Sequence, residues 1–469
     1  MKIRERHFSL FFRYDTDTRH TEFCTAEQIS AEQHLRICIT ALQALAYLHF
    51  GAILEVASEK AEQDAVQGTG GTGKQNICSR HPLQGGGNDM IIRHALIHDA
   101  VHKEPYPGDI LIRDGKLVSV GDPADAEDEI LDAEGLHAYP GFVDAHSHIG
   151  LDGYGGPTGG SYDYNEMNDI CCPQLRGMDS YYPLDPAIMM ALEGGVTTVA
   201  AGPGSANVLG GTFMAVKLYG KTVEEAIIRP AVGMKCAFGE NPKRCYKDKC
   251  DSARMTTAAK LRETLANARD YMLRKEAAGG DILKAPKYDM KMEALIPVLK
   301  GELPLKAHAH RSDDIMTAIR IAKEFDLRIT IEHCTEGHLI ADALREADVP
   351  VAVGPTLSNA SKPELLNKSW ETPGILARAG LQVSIITDAP VIPQQYLPLC
   401  AGLAVKAGMD PFQALQAITI NPARHIGVDD RVGSLECGKD ADIVITDGDP
   451  MVSSSCVKYV IVDGKILVK

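Results

Sequence analysis

The sequence predicts an α/β protein: a (β/α)8 TIM barrel with a small β-sheet domain built from both ends of the chain. Residues 140–425 alternate short apolar β runs with helical stretches, and about 285 residues of such alternation fit an eightfold barrel. Residues 89–139 and 426–469 instead hold short β-rich runs. Each set contains an Asp-Gly turn, at Asp114-Gly115 and Asp463-Gly464. Two β-rich pieces at opposite ends of a chain can pair into one sheet.

The first part of the chain differs from the rest, and we expect a partly helical N-terminal extension of unassigned role at residues 1–88. Residues 27–64 carry an apolar, Ala- and Leu-rich helical pattern with charged flanks. The Gly-rich segments QGTGGTGKQN and QGGGND follow and are typical of linkers. A chain of 469 residues is expected to form two or three domains.

Composition argues against several classes of partner. The formal net charge of −15 disfavours a nucleic-acid surface, which requires clustered Lys and Arg. No apolar run approaches the length of about 18 residues that a membrane span needs. The 12 cysteines are scattered, as in proteins with reduced thiols, and no secretory signal is recognisable, so a cytoplasmic location is expected. A small-molecule substrate is the expected partner, and a homo-oligomer is left open.

Six segments between residues 140 and 425 read as barrel strands because each is a short apolar run: GVTTVAAG, VGMKCAFG, PLKAHAH, RITIEHC, VPVAVG and QVSIITD. The segment DDIMTAIRIAKEF reads as a helix between two of them. Its apolar residues recur at helical spacing on one face: Ile315, Ala318, Ile319, Ala322 and Phe325. Asp410-Pro411 predicts another helix start, because a capping Asp precedes Pro at the first helical position.

The segment PGFVDAHSHIG places His146 and His148 two residues apart at the end of a β run. Side chains two apart on a strand point the same way, so both imidazoles can bind one divalent ion. Further residues of ligand type stand where later β runs meet loops: His308, His310, His333 and Asp388. Because the strand ends of a barrel converge on one spot, we expect these side chains to form a metal site.

Asp388 is the expected general base as well as a metal ligand. A divalent ion lowers the pKa of bound water and polarises a carbonyl, so a metal-bound hydroxide is the expected nucleophile. A carboxylate near the hydroxide can take its proton and deliver it to the leaving nitrogen. The alternative for Asp388 is a helix N-cap before Ala389-Pro390.

The sequence leaves open whether the site holds one ion or two. Two ions need a bridging anion. Lys235 stands in the middle of the VGMKCAFG strand, where a charged Lys is costly, and a carboxylated lysine there would supply the bridge. Glu240, five residues on, is the rival bridging ligand. Alternatively, Lys235 pairs with an acid and Glu240 only follows a turn.

These motifs together resemble the amidohydrolase superfamily, and most of all its branch of imidazolonepropionase-like and Xaa-Pro-dipeptidase-like enzymes. They are PGFVDAHSHIG, GGVTTV, the two later His strands, TDAP and TINPARHIGVDDRVGSLECGKDADIVI, and the resemblance covers about residues 90–469. It implies a barrel at residues 140–425, flanked by a β-sandwich whose two parts are residues 89–139 and 426–469. It also implies zinc or a similar divalent ion.

Carried over by position, the resemblance implies one set of metal ligands: His146, His148, carboxylated Lys235, His308, His333 and Asp388. His310 then lies beside the substrate, although the HAH repeat would allow it to exchange roles with His308. The chain departs from the family pattern in its first 88 residues and in the 73-residue step from Lys235 to His308, which could form a lid.

Three more residues are candidates for substrate binding. Arg311 follows the HAH segment and could bind a substrate carboxylate through two parallel hydrogen bonds, with a surface salt bridge as the alternative. Tyr154 in GLDGYGG and His338 in EHCTEGH are weaker candidates.

We therefore expect a metal-dependent amidohydrolase that cleaves a carbon–nitrogen bond of a small amide, lactam or dipeptide. A mononuclear deaminase of the same fold is the first alternative, and it would use one ion and tolerate loss of Lys235. A non-catalytic scaffold member of the family is the second alternative. The complete set of His and Asp positions counts against the scaffold.

Overall fold

The computed structural model describes residues 90–123, 129–154, 163–246 and 253–469. The expected N-terminal extension, residues 1–88, lies outside the described residues. Sixteen strands are described, in two sheets of eight: β1 (Met90–Ile97), β2 (Tyr106–Arg113), β3 (Lys116–Val120), β4 (Glu129–Asp132), β5 (His137–Pro140), β6 (Phe142–Ser147), β7 (Val196–Ala201), β8 (Leu209–Lys217), β9 (Ile227–Ala237), β10 (Leu305–Ala309), β11 (Ile329–His333), β12 (Val351–Val353), β13 (Val383–Ile385), β14 (Ile443–Thr446), β15 (Val457–Val462) and β16 (Lys465–Val468).

The first sheet joins the two ends of the described chain. Its strand order is β16-β15-β14-β5-β1-β2-β3, with β4 paired to β1. The joining pair is β5 with β14, which run antiparallel with Tyr139 opposite Val444. Both predicted Asp-Gly turns are present: φ is 49° and 72° at Asp114 and Gly115, and 48° and 72° at Asp463 and Gly464. Positive φ at both central residues is the geometry of a tight hairpin turn, so the predicted domain built from both chain ends is confirmed.

The second sheet is the barrel, with strands β6 to β13 in sequence order. Strands β6, β10 and β11 are buried on both faces, as expected for a sheet that encloses a packed interior. The edges β6 and β13 meet through the buried carboxylate of Asp144. Its Oδ2 accepts hydrogen bonds from the Thr387 amide (2.9 Å), the Thr387 hydroxyl (2.7 Å) and Gln394 Nε2 (2.7 Å). The predicted barrel is thus confirmed.

One strand of the barrel departs from regular β/α alternation. β8 runs antiparallel to both of its neighbours, β7 and β9, whereas the other neighbouring pairs are parallel. The reason is the length of the connection from β7 to β8, which is only residues 202–208. A parallel crossover needs a dozen or more residues. A link as short as this one therefore permits only a hairpin.

Eleven α-helices are described, and most of them cover the outside of the barrel: α1 (Pro186–Glu193), α2 (Val223–Ala226), α3 (Glu240–Cys245), α4 (Arg254–Ala277), α5 (Met290–Leu299), α6 (Ser312–Phe325), α7 (Ala341–Ala347), α8 (Thr372–Arg378), α9 (Leu397–Lys406), α10 (Pro411–Gln416) and α11 (Ile420–His425). Ile315, Ala318 and Ile319 of α6 are buried on one face, as their spacing predicts. Asp410 caps α10 by accepting from the amides of Phe412 and Gln413. Among the described helices, none combines the length and apolar character that crossing a membrane requires.

A buried charge cluster ties the sheet of the chain ends to the barrel. Lys217, at the end of β8, has its Nζ 2.7 Å from Asp440 Oδ2 and 3.0 Å from Asp442 Oδ1, and it also pairs with Asp463. The side chains of Lys217, Asp440 and Asp442 are each 5% exposed or less. Since buried carboxylates without a cation are costly, Lys217 is the residue on which this contact depends.

We expect Lys217→Met to destabilise the protein by about 3–5 kcal/mol, because it leaves the buried carboxylate of Asp442 without its cation, whereas Asp440 keeps Lys116 and Arg431. Urea unfolding followed by circular dichroism measures the change. The control is Arg229→Gln, which removes an exposed ion pair with Asp430 and should cost at most about 1 kcal/mol. Equal midpoints for the two variants would contradict this account of the contact.

Candidate metal centre

Three side chains meet at the carboxyl ends of β6 and β13. His146 and His148 come from the end of β6, and Asp388 follows β13. Asp388 Oδ1 lies 3.7 Å from His146 Nε2 and 3.3 Å from His148 Nε2. Each residue offers one ligand atom, and these atoms lie within 4.8 Å of one another. We call this set the first ligand group.

A second ligand group lies on the neighbouring strand ends. His308, in β10, and His310, directly after it, project to the same side, as the HAH alternation predicts. His333 ends β11. Ligand-type atoms of these three histidines also lie within 4.8 Å of one another. The two groups adjoin, because His333 Nδ1 lies 3.9 Å from Asp388 Oδ2. The strand ends therefore converge as the sequence predicts.

Hydrogen bonds fix the ring orientation of several of these histidines. His148 Nδ1 donates to the Gly202 carbonyl (2.7 Å), and His333 Nδ1 donates to the Gly354 carbonyl (2.9 Å). Because a carbonyl only accepts, Nδ1 carries the proton in both rings and Nε2 keeps its lone pair. An imidazole so oriented by its second nitrogen is the usual state of a metal ligand.

Unpaired buried nitrogens test whether a metal ion fits this place. His333 Nε2 and both ring nitrogens of His308 are buried without a hydrogen-bond partner. An unpaired buried polar atom costs free energy, so such atoms in a native fold call for a partner such as a bound ion. Imidazole nitrogens with a carboxylate are a donor set that suits zinc and similar ions. The residues present therefore fit a divalent metal.

The electrostatics keep the histidines in the form that binds a metal. Burial lowers the pKa of His146, His308 and His310 well below the usual value, and it lowers the pKa of His333 to about 4. These imidazoles are therefore neutral at neutral pH. Burial opposes ionisation of Asp388, but the neighbouring histidines, His333 first, hold its pKa below the usual range.

Glu332 is a functional residue that sequence reasoning missed. Its Oε2 accepts from His146 Nδ1 at 2.9 Å and lies 2.8 Å from Lys306 Nζ. Its Oε1 accepts from Thr330 Oγ1 at 2.7 Å and His425 Nε2 at 2.8 Å. Burial opposes ionisation, yet Lys306 and His425 hold the pKa of Glu332 well below its usual range. The carboxylate thus fixes the His146 ring, so that Nε2 faces the site.

Lys235 lies in β9 and is fully buried beside the first ligand group. Its Nζ is 3.0 Å from His146 Nε2 and 5.2 Å from the centre of the Phe213 ring. Burial lowers the pKa of Lys235 to about 8, although the charges of Asp388 and Glu332 oppose that shift. A much larger share of this amine is therefore uncharged at neutral pH than of an ordinary lysine.

Glu240, the rival bridging residue, stands elsewhere. It begins α3, where its Oε1 pairs with Arg254 Nη1 at 2.9 Å and Lys243 Nζ at 3.3 Å. These partners hold it in a separate ion-pair cluster with Asp314, which Arg254 Nε contacts at 3.0 Å. The geometry therefore supports the alternative in which Glu240 only follows the turn after β9.

The predicted substrate residues are placed unequally. His310 belongs to the second ligand group, and its Nδ1 lies 2.8 Å from Thr335 Oγ1. Arg311 instead forms an exposed salt bridge with Asp313, with Nη2 2.9 Å from Oδ2. This is the alternative role that the sequence left open for Arg311. His338 Nδ1 lies 2.9 Å from Thr372 Oγ1. Tyr154 is 53% exposed and borders residues 155–162, which lie outside the described part of the chain.

Two lysines near the second ligand group were not predicted. Lys362 Nζ pairs with Glu364 Oε1 (2.7 Å) and donates to Asn241 Oδ1 (3.0 Å). Lys368 donates to the carbonyl and hydroxyl oxygens of Ser358. The positive charges of both lysines contribute to lowering the pKa of His310. Both lie in the loop between β12 and α8, too far from the histidines in sequence for spacing to reveal them.

Comparison with known proteins identifies the family. A family model described as amidohydrolase family matches residues 138–467. Amidohydrolase tasK of Hapsidospora irregularis is 29% identical over 432 residues, which cover 81% of this chain and 43% of that protein. The chain therefore spans less than half the length of that relative. A 5'-deoxyadenosine deaminase of Methanobrevibacter smithii is 22% identical over 440 residues, covering 81% of this chain and 93% of that protein.

A solved structure agrees with these matches. An amidohydrolase from Thermotoga maritima MSB8 superimposes with a TM-score of 0.78 at 40% sequence identity, covering 81% of this chain and 100% of that one. Because the family match spans well over half of the chain, the protein belongs to the amidohydrolase family.

Proposed function

We propose that the protein is a metal-dependent amidohydrolase that cleaves a carbon–nitrogen bond of a small amide, lactam or dipeptide. The observation that carries the proposal is the pair of adjoining ligand groups at one end of the barrel, with lone pairs of His308 and His333 buried and unpaired. Such a placement at the carboxyl ends of barrel strands is where enzymes of this architecture carry out chemistry.

The proposed ligand set is His146, His148, Lys235, His308, His333 and Asp388, and zinc is the proposed metal. His308 is preferred over His310 because both of its ring nitrogens are buried without a hydrogen-bond partner. When bound, the metal supplies a water of lowered pKa and polarises the substrate carbonyl.

Asp388 is the proposed general base. Its lowered pKa keeps the carboxylate unprotonated at neutral pH, which is the form a general base requires. Its Oδ1 lies 3.3 Å from His148 Nε2, so the carboxylate is held at the edge of the first ligand group. From there Asp388 can hold the proton and pass it to the leaving nitrogen. The neighbouring His310 lines the same place and is proposed to contact the substrate.

Metal removal and product analysis test the proposal. Purified protein should contain zinc by inductively coupled plasma mass spectrometry, and chelation should abolish turnover of a panel of small amides, lactams and dipeptides. His146→Ala should lose metal and activity together. His102→Ala is the control, because His102 is an exposed histidine that pairs with Asp99. A protein that binds no divalent ion and turns over no member of the panel would rule the enzyme out and favour a scaffold role, and His146→Ala as active as an active control would rule out the metal-dependent mechanism.

Lys235 decides between the proposed hydrolase and the deaminase alternative. A carboxylated Lys235 would bridge two ions, and its lowered pKa favours the uncharged amine that carboxylation requires. The alternative has support of its own, since one relative is a 5'-deoxyadenosine deaminase at 22% identity.

We expect Lys235→Ala to lose one of two bound ions and most of the activity, because it removes the bridging group. Lys235→Glu should recover the second ion only in part, since it supplies a carboxylate on a shorter stem than that of a carboxylated lysine. Metal analysis and turnover measure both effects. If Lys235→Ala keeps its metal content and releases ammonia from aminopurine nucleosides, the centre is mononuclear and the protein is a deaminase.

Lys368 is proposed to bind a carboxylate of the substrate, the role that the sequence suggested for Arg311. Lys368 lines a small cavity with His333 and Thr335, and partial burial lowers its pKa. A cation in that position attracts an anionic group of a substrate held at the histidines. The preferred substrates are then N-acyl amino acids or dipeptides rather than neutral amides.

We expect Lys368→Gln to raise KM for a carboxylate-bearing substrate by about tenfold or more, because a charge-assisted hydrogen bond is lost, and to leave kcat nearly unchanged. Steady-state kinetics on a dipeptide and on the matching peptide amide measure the difference. Arg311→Gln should change neither. An equal rise of KM for the uncharged amide would show that Lys368 only supports the loop.

A further inference from the structure

A second cavity lies at the opposite end of the barrel from the ligand groups. Its volume is about 280 Å³, and it opens at the amino ends of β10, β11 and β12, beside the end of α11. Active sites of barrels lie at the carboxyl ends of the strands, so this cavity is separate from the centre described above.

The lining of this cavity combines positive charge with apolar surface. Three cationic residues, Lys323, Arg328 and Arg424, contribute to it, against one carboxylate, Asp348. Apolar side chains such as Ile319, Leu327 and Val349 line the remainder. The lining therefore suits a small organic anion, with the charge on the arginines and carbon atoms on the apolar wall.

His425, at the inner side of the cavity, places a more specific requirement on the ligand. Its Nε2 lies 2.8 Å from Glu332 Oε1, and because the ionised carboxylate only accepts, Nε2 carries the proton. Burial lowers the pKa of His425, so the ring is neutral. Nδ1 is then a bare acceptor, and it is buried without a hydrogen-bond partner. A ligand that satisfies it must donate a hydrogen bond.

We propose that this cavity binds a phosphoryl group, either as free phosphate or on a small phosphate monoester. At neutral pH a phosphoryl group carries anionic oxygens for Arg328 and Arg424, and part of the population also carries a P–OH that can donate to His425 Nδ1. Arginine matches phosphate oxygens through parallel hydrogen bonds. Sulfate has the same shape and charge but no proton to donate, so it is the matched probe.

The cavity is connected to the metal centre through Glu332. Thr330 and His425 both line the cavity, and both donate to Glu332 Oε1, at 2.7 and 2.8 Å. The other oxygen of Glu332 accepts from His146 Nδ1 at 2.9 Å. A ligand on His425 Nδ1 is therefore three hydrogen bonds from His146, a proposed metal ligand. Phosphate in the cavity should change metal affinity, and metal should change phosphate affinity by the same factor.

Isothermal titration calorimetry on the full chain tests the binding, first without metal. The probes are inorganic phosphate, glycerol 3-phosphate and sulfate. The variant is Arg328→Gln with Arg424→Gln, and its control is Arg320→Gln with Arg345→Gln. The control removes the same charge from exposed arginines that pair with Thr317 and Asp342. None of the four arginines belongs to the proposed catalytic set, so activity should be unchanged in both proteins.

We expect phosphate to bind at least about tenfold more weakly to the Arg328/Arg424 double variant than to the control, and sulfate to bind the unmodified chain at least about tenfold more weakly than phosphate. Glycerol 3-phosphate binding more tightly than phosphate identifies an ester as the ligand, and the reverse order identifies free phosphate. No binding, equal binding to both double variants, or equal affinity for sulfate and phosphate would overturn the proposal.

A second measurement separates this cavity from phosphate bound directly at the metal centre. The affinity of the protein for zinc is measured with and without phosphate in the unmodified chain and in both double variants. A phosphate effect that disappears only in the Arg328/Arg424 variant supports the link through Glu332. An effect of equal size in all three proteins places phosphate at the metal and overturns the link. Neither measurement requires a known substrate, so failure here is distinct from failure of the proposed hydrolase.

Discussion

The buried carboxylate of Glu332 is the interaction on which the rest of the centre depends. Taking an ion out of water costs several kcal/mol, and only close partners offset that cost. Glu332 has four of them, each within 2.9 Å: His146, Lys306, Thr330 and His425. They come from three barrel strands and α11. One charge therefore sets the position of β6 relative to β10 and β11 as well as the ring orientation of His146.

The same carboxylate makes two neighbouring buried lysines of the barrel interior unequal. Lys306 and Lys235 are register partners on β10 and β9, so two amines lie side by side in the interior. Glu332 lies 2.8 Å from Lys306, and it acts on Lys235 only as a nearby charge. Lys235 instead faces His146 Nε2 at 3.0 Å, with a pKa of about 8. The chemically reactive amine is thus the one beside the proposed metal ligands.

The sequence predicted much of the fold because its signals are local. An Asp-Gly turn needs only two residues, and strand runs that end in His or Asp identify the barrel mouth by themselves. Strand direction is not local, and β8 was not among the segments predicted as barrel strands. Its short link to β7 was the available signal, since residues 202–208 cannot hold a crossover helix.

Glu332 was missed for a different physical reason. Alternation on a strand puts neighbours on opposite faces, so Glu332 and His333 should not serve one site. His333 breaks the alternation, with φ at 73°, and the chain turns there so that both side chains reach the centre. A positive φ at a residue other than Gly is uncommon and is not visible in the letters EHC. Lys368 was missed because a loop brings it to the site from 35 residues beyond His333.

Two glycines explain why the centre can orient its histidines through the main chain. The carbonyls that fix His148 and His333 belong to Gly202 and Gly354. A Cβ on Gly354 would lie 2.1 Å from the Ile386 carbonyl oxygen, and φ there is 148°, which side chains other than hydrogen rarely allow. A Cβ on Gly202 would lie 2.5 Å from the Phe213 ring.

The backbone at these two positions must therefore approach its neighbours too closely for any other residue. That close approach brings each glycine carbonyl within hydrogen-bond range of an imidazole ring. A side-chain acceptor would orient the same ring less rigidly. Ring orientation at His148 and His333 thus rests on main-chain packing, whereas at His146 it rests on the charge of Glu332. The latter is linked to the far end of the barrel, because His425 contacts Glu332 there.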